Sequence, residues 1–423
     1  MSVVHVVGAG IAGLAAAVSL VRAGKRVVLY EAAAQAGGRC RSFHDAKLGC
    51  SIDNGNHLLL TANTAALSYL EEIGARDTLV GPDHAAFPFV DLATGERWTV
   101  RPNAGPVPWW ILSAKRRIPG TRPGSYLAGL KLAFAGAERT VAECLDPSDP
   151  LWPRFWEPLT VAALNTQPHE ASARLLWLVL RESFAKGEAA CRPLIARDGL
   201  SASLVDPALA RLNAAGTSVH FNTRLRALDF VGDRLACLTF ADDEVALAEG
   251  DGAVLALPPS VAGGLVPGLE VPEDSRPIVN AHIRLPAAQA LPEGLPFLGL
   301  VGGTADWLFL RGDIASLTVS AAEALAEEPA EAIAVKMWAD TAGALGLDPA
   351  LDPPVRVIKE RRATFAQTPA ALARRAPAGT AWRNLVLAGD WTDTGYPATI
   401  ESAVRSGRRA AEAAARGTGD LTQ

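Results

Sequence analysis

The two ends of this chain limit its fold more than anything between them. Near the start, Val6-Val7-Gly8-Ala9-Gly10-Ile11-Ala12-Gly13-Leu14 reads as a strand, a tight turn and a helix that begins at the turn. The apolar run over 3–8 predicts a buried strand. Ala12, Gly13, Ala15, Ala16 and Ala17 give the helix over 11–23 a small-residue face that can lie close against that strand. A second, parallel strand over 26–31 ends on Glu31. This is a βαβ unit with a dinucleotide-binding turn. Gly8 permits the turn, Gly10 lets the backbone approach a pyrophosphate, and Gly13 allows close packing of helix on strand. The N–H groups at the helix start, from Ile11 and Ala12, offer a partial positive charge to phosphates. Glu31 is placed to accept hydrogen bonds from ribose hydroxyls, and an acid there disfavours a 2′-phosphate. The turn by itself leaves NAD and FAD open, and a ligand-free structural turn is the bland reading. Near the other end, Asn384-Leu385-Val386-Leu387-Ala388-Gly389-Asp390 repeats the strand and turn, and a helix starts near Thr399-Ile400. Two helix N-termini from opposite ends of one chain suit one long bis-phosphate cofactor. No second GxGxxG stands in strand–helix context, so a stably bound nicotinamide is not expected.

A length of 423 residues exceeds one simple core and predicts two domains. Interruptions of the cofactor pattern predict that they interleave: 1–80, 191–262 and 378–423 form the cofactor domain, and 81–190 with 263–377 the substrate domain. The fold class is α/β, a Rossmann-like domain joined to an α+β domain. A formal charge of -5 argues against general nucleic-acid binding. The five cysteines lack metal spacing, which predicts no metal and reduced thiols in a cytoplasmic protein. A strand beginning near Val3 leaves no room for a signal peptide, and no run approaches the about 20 apolar residues that span a bilayer. The chain is expected to be soluble or peripherally attached. Helices are expected over 63–74, capped by Asn63, over 204–216, and over 321–345 with a break at Pro329. Strands are expected over 217–230, 253–259 and through 276–320, and a frayed tail after Gly417. From about 80 to 190 prolines multiply, strand signals weaken, and tryptophans gather.

Gly37-Gly38-Arg39, shortly after Glu31, resembles the flavin-specific extension of amine oxidases and carotenoid desaturases. Asp53-Asn54-Gly55-Asn56-His57 resembles the stretch of that superfamily that passes the flavin. Over nearly its whole length the chain resembles the FAD-dependent amine oxidase and phytoene desaturase superfamily. Within it the chain is most similar to the squalene-associated group, the hydroxysqualene dehydroxylases. The narrower resemblance rests on Asp53 to Leu60, on Phe155-Trp156-Glu157-Pro158-Leu159 with Ala163-Leu164-Asn165-Thr166, and on Gly389 to Glu401. It implies that FAD is the cofactor and that Gly38 and Arg39 sit near its phosphates. Asn54, Gly55, Asn56 and His57 pass the flavin, Asp390 meets the ribityl and phosphate region, and Thr399-Ile400 points a helix N-terminus at the flavin pyrimidine. Leu225 stands where many members carry a valine whose main chain clasps the adenine.

The implied reaction is reductive removal of an allylic hydroxyl from hydroxysqualene, giving squalene. It needs an acid near the hydroxyl, a dry apolar tunnel, and electron-rich faces beside an allylic cation. The candidate acids are His57, which titrates near neutral pH, and Glu157, whose pKa burial would raise. Asn165 is a candidate hydrogen-bond partner of the hydroxyl or a turn cap. Trp109, Trp110, Trp152, Trp156 and Trp177 are candidates for the tunnel wall or for ordinary core. Trp109-Trp110 beside Lys115-Arg116-Arg117 also suits a membrane interface, at the inner face of the cytoplasmic membrane, against the alternative of a solvated basic loop. The expected partners are a long-chain isoprenoid and the prenyl-synthase-like enzymes that form hydroxysqualene. The alternatives are a desaturase of isoprenoid hydrocarbons, an amine oxidase, and a flavin-free escort of prenylated proteins. Trp391 and Tyr396 could be misread as an amine oxidase's aromatic cage, but Tyr396 lies next to Pro397 in the subgroup-like motif. The intact Gly8, Gly10, Gly13, Arg39 and Asp390 set argues against the escort.

Overall fold

The computed structural model describes residues 2–416; the expected frayed tail lies outside them. Two sheets dominate. The first is parallel throughout, with strands in the order Ser218–His220, Arg26–Tyr30, Val3–Val7, Gly252–Leu255 and Leu385–Leu387. Its strands are short and apolar because both faces are covered. Val6, Leu29, Val254 and Val386 are fully buried beneath helix Ile11–Arg22 and the C-terminal helix Ile400–Arg416. Both helices therefore start on the same side of this sheet, at the ends of strands.

The second sheet has seven strands, in the order Val355–Phe365, Ser275–Arg284, Ile314–Val319, Trp307–Arg311, Phe297–Val301, Phe87–Asp91 and Arg97–Val100. Alternation assigns its faces. Val279, Ala281, Ile283, Leu308 and Leu317 pack against Ile333, Met337 and Trp338 of helix Ala330–Leu345. The opposite face carries Asn280, Thr318, Trp307, Gly299, Phe89 and Trp98 in one continuous cross-strand row. A second row there holds His282, Ser316, Phe309 and Phe297. This face meets the cofactor domain.

The strands Phe87–Asp91 and Arg97–Val100 lie where strand signals weaken in the sequence. Pro88 dilutes the pattern, but it precedes the first pair of the parallel ladder, Phe89 with Gly299, and so is tolerated. Residues 101–190 are short helices and turns around an aromatic core that includes Trp110, Trp152, Phe155 and Trp156. Helix Glu157–Leu164 follows a wide turn at Trp152–Trp156, with Pro158 in its first turn. The helix expected over 204–216 is likewise split into a wide turn, Ser201–Val205, and helix Asp206–Ala214. The break at Pro329 is present, between Glu323–Glu327 and Ala330–Leu345.

Helix Thr64–Glu72 is capped differently from the expectation. The Asn63 side chain accepts from the Leu60 N–H at 2.7 Å and gives its own helix nothing. The cap comes from the far end of the chain: the Glu401 carboxylate accepts the Ala65 and Ala66 N–H groups at 3.1 and 2.9 Å. A buried carboxylate shared with Arg405 thus ties the two helices together. Glu401→Ala is expected to cost about 2 kcal/mol in urea unfolding, from lost cap bonds and an unpaired Arg405. An unchanged midpoint would show the cap to be dispensable.

Candidate active site

At the first turn, Gly8 has φ +104°, and a Cβ there would stand 2.4 Å from the Ala256 carbonyl oxygen. A Cβ on Gly13 would stand 1.8 Å from the Gly8 carbonyl oxygen, so helix and strand approach as closely as backbone allows. Gly10 faces open space instead, with nothing within 4 Å of a Cβ placed on it. No side chain caps the helix start at Gly10 and Ile11, which leaves N–H groups and dipole directed into that space. That is a cradle for a pyrophosphate. Glu31 spends one oxygen on the Ala9 N–H and the other on the Ala33 N–H, both at 2.8 Å. Each oxygen keeps a lone pair for a ribose hydroxyl. The Thr223 N–H donates to the Glu31 carbonyl at 2.8 Å, which brings the buried Leu225 segment to the same end.

The Gly37 N–H donates to the Ala9 carbonyl at 2.8 Å, and this bond carries Gly38 and Arg39 to the cradle. Arg39 then reaches across the molecule, its Nη2 lying 2.8 Å from Asp390 Oδ1. The guanidinium and carboxylate expected along one cofactor from opposite ends of the chain are therefore in direct contact. Arg41 bonds back to the Gly38 carbonyl at 2.9 Å.

The C-terminal loop owes its shape to Arg375, a residue that no motif in the chain marks. This guanidinium is 7 % exposed and donates to the carbonyls of Asp390, Trp391, Thr392 and Tyr396 and to Thr394 Oγ1. Burial lowers its pKa to about 10, which leaves it charged at neutral pH. It lies in no strand–turn–helix pattern, so only the folded loop reveals it. The same loop removes the aromatic-cage reading. Trp391 is 2 % exposed and donates from Nε1 to the Leu257 carbonyl at 2.9 Å. Tyr396 has one face covered by Arg405, 4.2 Å from the ring centre. Thr399 caps the C-terminal helix by accepting the Ser402 N–H at 3.3 Å.

The 53–57 segment lies on the open face of the seven-stranded sheet. Asp53 accepts from Ser42 Oγ, from the Leu200 N–H and from Arg311, and these partners hold its carboxyl low despite burial. Asn54 Nδ2 reaches Glu360, and Asn56 Nδ2 donates to Thr318 Oγ1 at 2.9 Å. A Cβ on Gly55 would sit 3.2 Å from Asn280 Nδ2. Gly55 thus lets the main chain lie on the sheet. His57 lines a cavity of about 50 Å³ with Asp53, His282, Phe309 and Arg311. Burial, aided by the Arg39 charge, lowers its pKa to about 4. That shift favours the neutral ring at pH 7 over the protonated form that the expected role as an acid calls for.

Besides Asp340, whose pKa burial also raises and which accepts the Thr304 and Ala305 N–H groups, two carboxyl groups hold protons more tightly than usual. Burial raises the Glu157 pKa. It also pushes Asp306 up to about 7, with the nearby Glu157 charge adding to the effect and the Ser320 N–H opposing it. Each acid follows or precedes a tryptophan of the interior, Trp156 and Trp307. Asn165 takes the place of the turn cap that the sequence offered as one of its two readings. It closes helix Glu157–Leu164 at φ +46°, and its Nδ2 donates to Thr364 Oγ1 and the Arg276 carbonyl. Its Oδ1 accepts the Ala321 N–H at 2.7 Å, so it pins the Glu157 helix beside the Ser320 strand end that bonds Asp306.

The tryptophans divide. Trp110, Trp152 and Trp156 are buried, and Trp177 packs partly buried against them. Trp109 is 63 % exposed on the outer surface and walls no interior space. It points outward because Trp110, its neighbour in a tight turn, takes the inward place against Tyr126. The aromatic floor nearest the 53–57 segment is instead Trp307, Phe309, Phe297 and Phe89, with Trp307 5.4 Å from Phe89 and 5.9 Å from Phe297 between ring centres. The period-two pattern Trp307-Leu308-Phe309-Leu310 carried that signal in the sequence.

A phosphate cradle at one helix start, and an arginine–aspartate clasp that ties it to the loop before the C-terminal helix, define a flavin-dependent oxidoreductase, with FAD as its cofactor. The chain belongs to the flavin containing amine oxidoreductase family, whose pattern matches residues 11–415. Within that family it groups with the hydroxysqualene dehydroxylases. It is 49% identical to the hydroxysqualene dehydroxylase of Rhodopseudomonas palustris over 97% of both chains. It is 45% identical to that of Zymomonas mobilis subsp. mobilis over 98% of this chain and 99% of the other. The fold is shared with cyclohexylamine oxidase from Brevibacterium oxydans, at TM-score 0.68 and 18% identity, covering 98% of this chain and 99% of that one. A probable zeta-carotene desaturase of Synechococcus elongatus is more distant, at 27% identity over 54% of this chain. No described helix is long and apolar enough to cross a membrane.

Proposed function

We propose that this enzyme removes the allylic hydroxyl of hydroxysqualene reductively and releases squalene. The observation that carries the reading is the pair Glu157 and Asp306, both held toward the protonated form, beside an aromatic floor. Protonation of the hydroxyl breaks the C–O bond and releases water, leaving an allylic cation. Reduced FAD, when bound, supplies the hydride that completes the C–H bond. The chain's own residues do the rest. The carboxyl pair holds the proton where a water-poor site keeps it available. Trp307, Phe309 and Phe89 offer ring faces to the cation, each worth about 0.5–2 kcal/mol. Asn56, fixed by Thr318, holds the flavin-side segment at a set depth over the sheet. The start of the C-terminal helix at Ile400 would favour negative charge on a flavin pyrimidine held there.

Trp391 and Tyr396, spent on core packing and on Arg405, weigh against an amine as substrate. The test is one anaerobic turnover with pre-reduced protein and hydroxysqualene, following flavin absorbance and extracted lipid together. Reoxidation matched mole for mole by squalene is expected. Flavin that stays reduced while hydroxysqualene is recovered intact would sink the reading.

A further inference from the structure

Ten large apolar side chains are exposed among the described residues, and six of them fall within one 28-residue stretch: Val107, Trp109, Leu112, Leu127, Leu130 and Phe134. Phe134 is 89 % exposed. Leu127, Leu130 and Phe134 line one open groove together with Gly124 and Lys131. The Trp109–Leu112 turn is held beside this groove, because Trp110 packs edge-on against Tyr126 at 5.0 Å and the Tyr126 hydroxyl accepts the Ile118 N–H. The apolar residues thus form one patch on adjoining turns. Monomeric soluble proteins rarely leave so many large side chains together in water.

The charge around the patch is one-sided. Lys115, Arg116, Arg117, Arg122 and Lys131 lie in the same stretch, and none of them pairs with a carboxylate among the described residues. No acid occurs from 97 to 137, which holds seven bases. With a chain total of -5, those seven leave the remainder at -12. Asp146 and Asp149 border the patch, Asp149 being engaged by Ser125 Oγ at 2.7 Å. An acidic protein has therefore gathered bases around the surface that carries six of the ten exposed large apolar side chains among its described residues. We infer that this face docks on an anionic lipid bilayer, with Leu127, Leu130, Phe134 and Trp109 entering the interface and the bases meeting phosphate headgroups. Its inner side touches the interior directly: a Cβ on Gly129 would lie 2.6 Å from the Trp156 ring, so one thin turn separates the docking face from the aromatic core.

The test is flotation of the full-length, flavin-loaded protein with vesicles of phosphatidylcholine alone and of phosphatidylcholine with phosphatidylglycerol. The wild type is expected to float with the anionic vesicles and to remain below with the neutral ones. L127S/L130S/F134S is expected to bind the anionic vesicles about tenfold or more weakly while keeping its flavin absorbance. K115E/R116E/R117E is expected to lose the preference for anionic vesicles. Wild type that stays below with both vesicles, or an apolar variant that floats like the wild type, overturns the inference. A wild-type dimer in sedimentation without lipid, dissociated by F134S, would assign the face to a second copy of the chain and overturn it as well.

Discussion

Arg375→Met is expected to give a colourless protein. The wild-type guanidinium satisfies four main-chain carbonyls and the Thr394 hydroxyl within the loop that carries Asp390. Methionine fills much of the volume and answers none of those acceptors. Each buried orphan costs about 1–3 kcal/mol, and the loop can escape the cost only by opening to water. Opening moves Asp390 away from Arg39 and removes the second half of the cofactor clasp. A loss of about 3 kcal/mol or more is expected, a large fraction of a typical folding free energy. Arg375→Lys keeps the charge with three donors from one nitrogen in place of a planar fork, and should fall between. Flavin absorbance per protein and a thermal melt read the result. A yellow Arg375→Met protein with an unchanged melting temperature would show that the loop is held by something else.

The second large effect concerns the proton. Glu157→Gln and Asp306→Asn are each expected to lower single-turnover dehydroxylation by about 10²–10⁴-fold, the range that general acids supply. Flavin content should be unchanged in both. The reaction needs the acid in its protonated form, so the wild-type rate should fall as pH rises past about 7, where Asp306 ionises. In Asp306→Asn that alkaline limb should disappear. Stability supplies an independent readout of the same shift. Between the ordinary aspartate pKa of 3.8 and about 7, the folded protein holds a proton on Asp306 that the unfolded chain has released. Stability contributed by this group therefore falls as pH rises through that window and levels off above it. Asp306→Asn should remove that fall, and the amide oxygen can still accept the Ser320 N–H. Wild-type rates in both variants would place the proton donor elsewhere.

The asymmetry between these two predictions reflects where information sits in the chain. Gly8, Gly10, Gly13 and Glu31 were legible because their chemistry is local. A tight turn, a close backbone approach and a helix start are properties of neighbouring residues, and a ligand that binds main chain needs no distant partner. Arg39 and Asp390 were each legible for the same reason, through the short motif around each. Their contact across 351 positions was not. The candidate acids were harder. Glu157 could be picked as an acid among aromatics, but Asp306 gained its raised pKa only when folding removed it from water and set it near Glu157. For His57 the same cause works in the other direction, since burial and the Arg39 charge lower its pKa to about 4.

The sequence by itself determined the cofactor unit, its βα turns and the class of ligand they hold, since hydrophobic period, glycine placement and helix ends act over a few residues. Tertiary structure alone decided which acid keeps a proton and which tryptophan looks inward. It likewise decided that Glu401 caps a helix more than 300 residues upstream and that one buried arginine shapes the flavin loop. Those properties depend on solvent exclusion and on donors and acceptors brought together from distant segments, and neither quantity exists before the chain has folded.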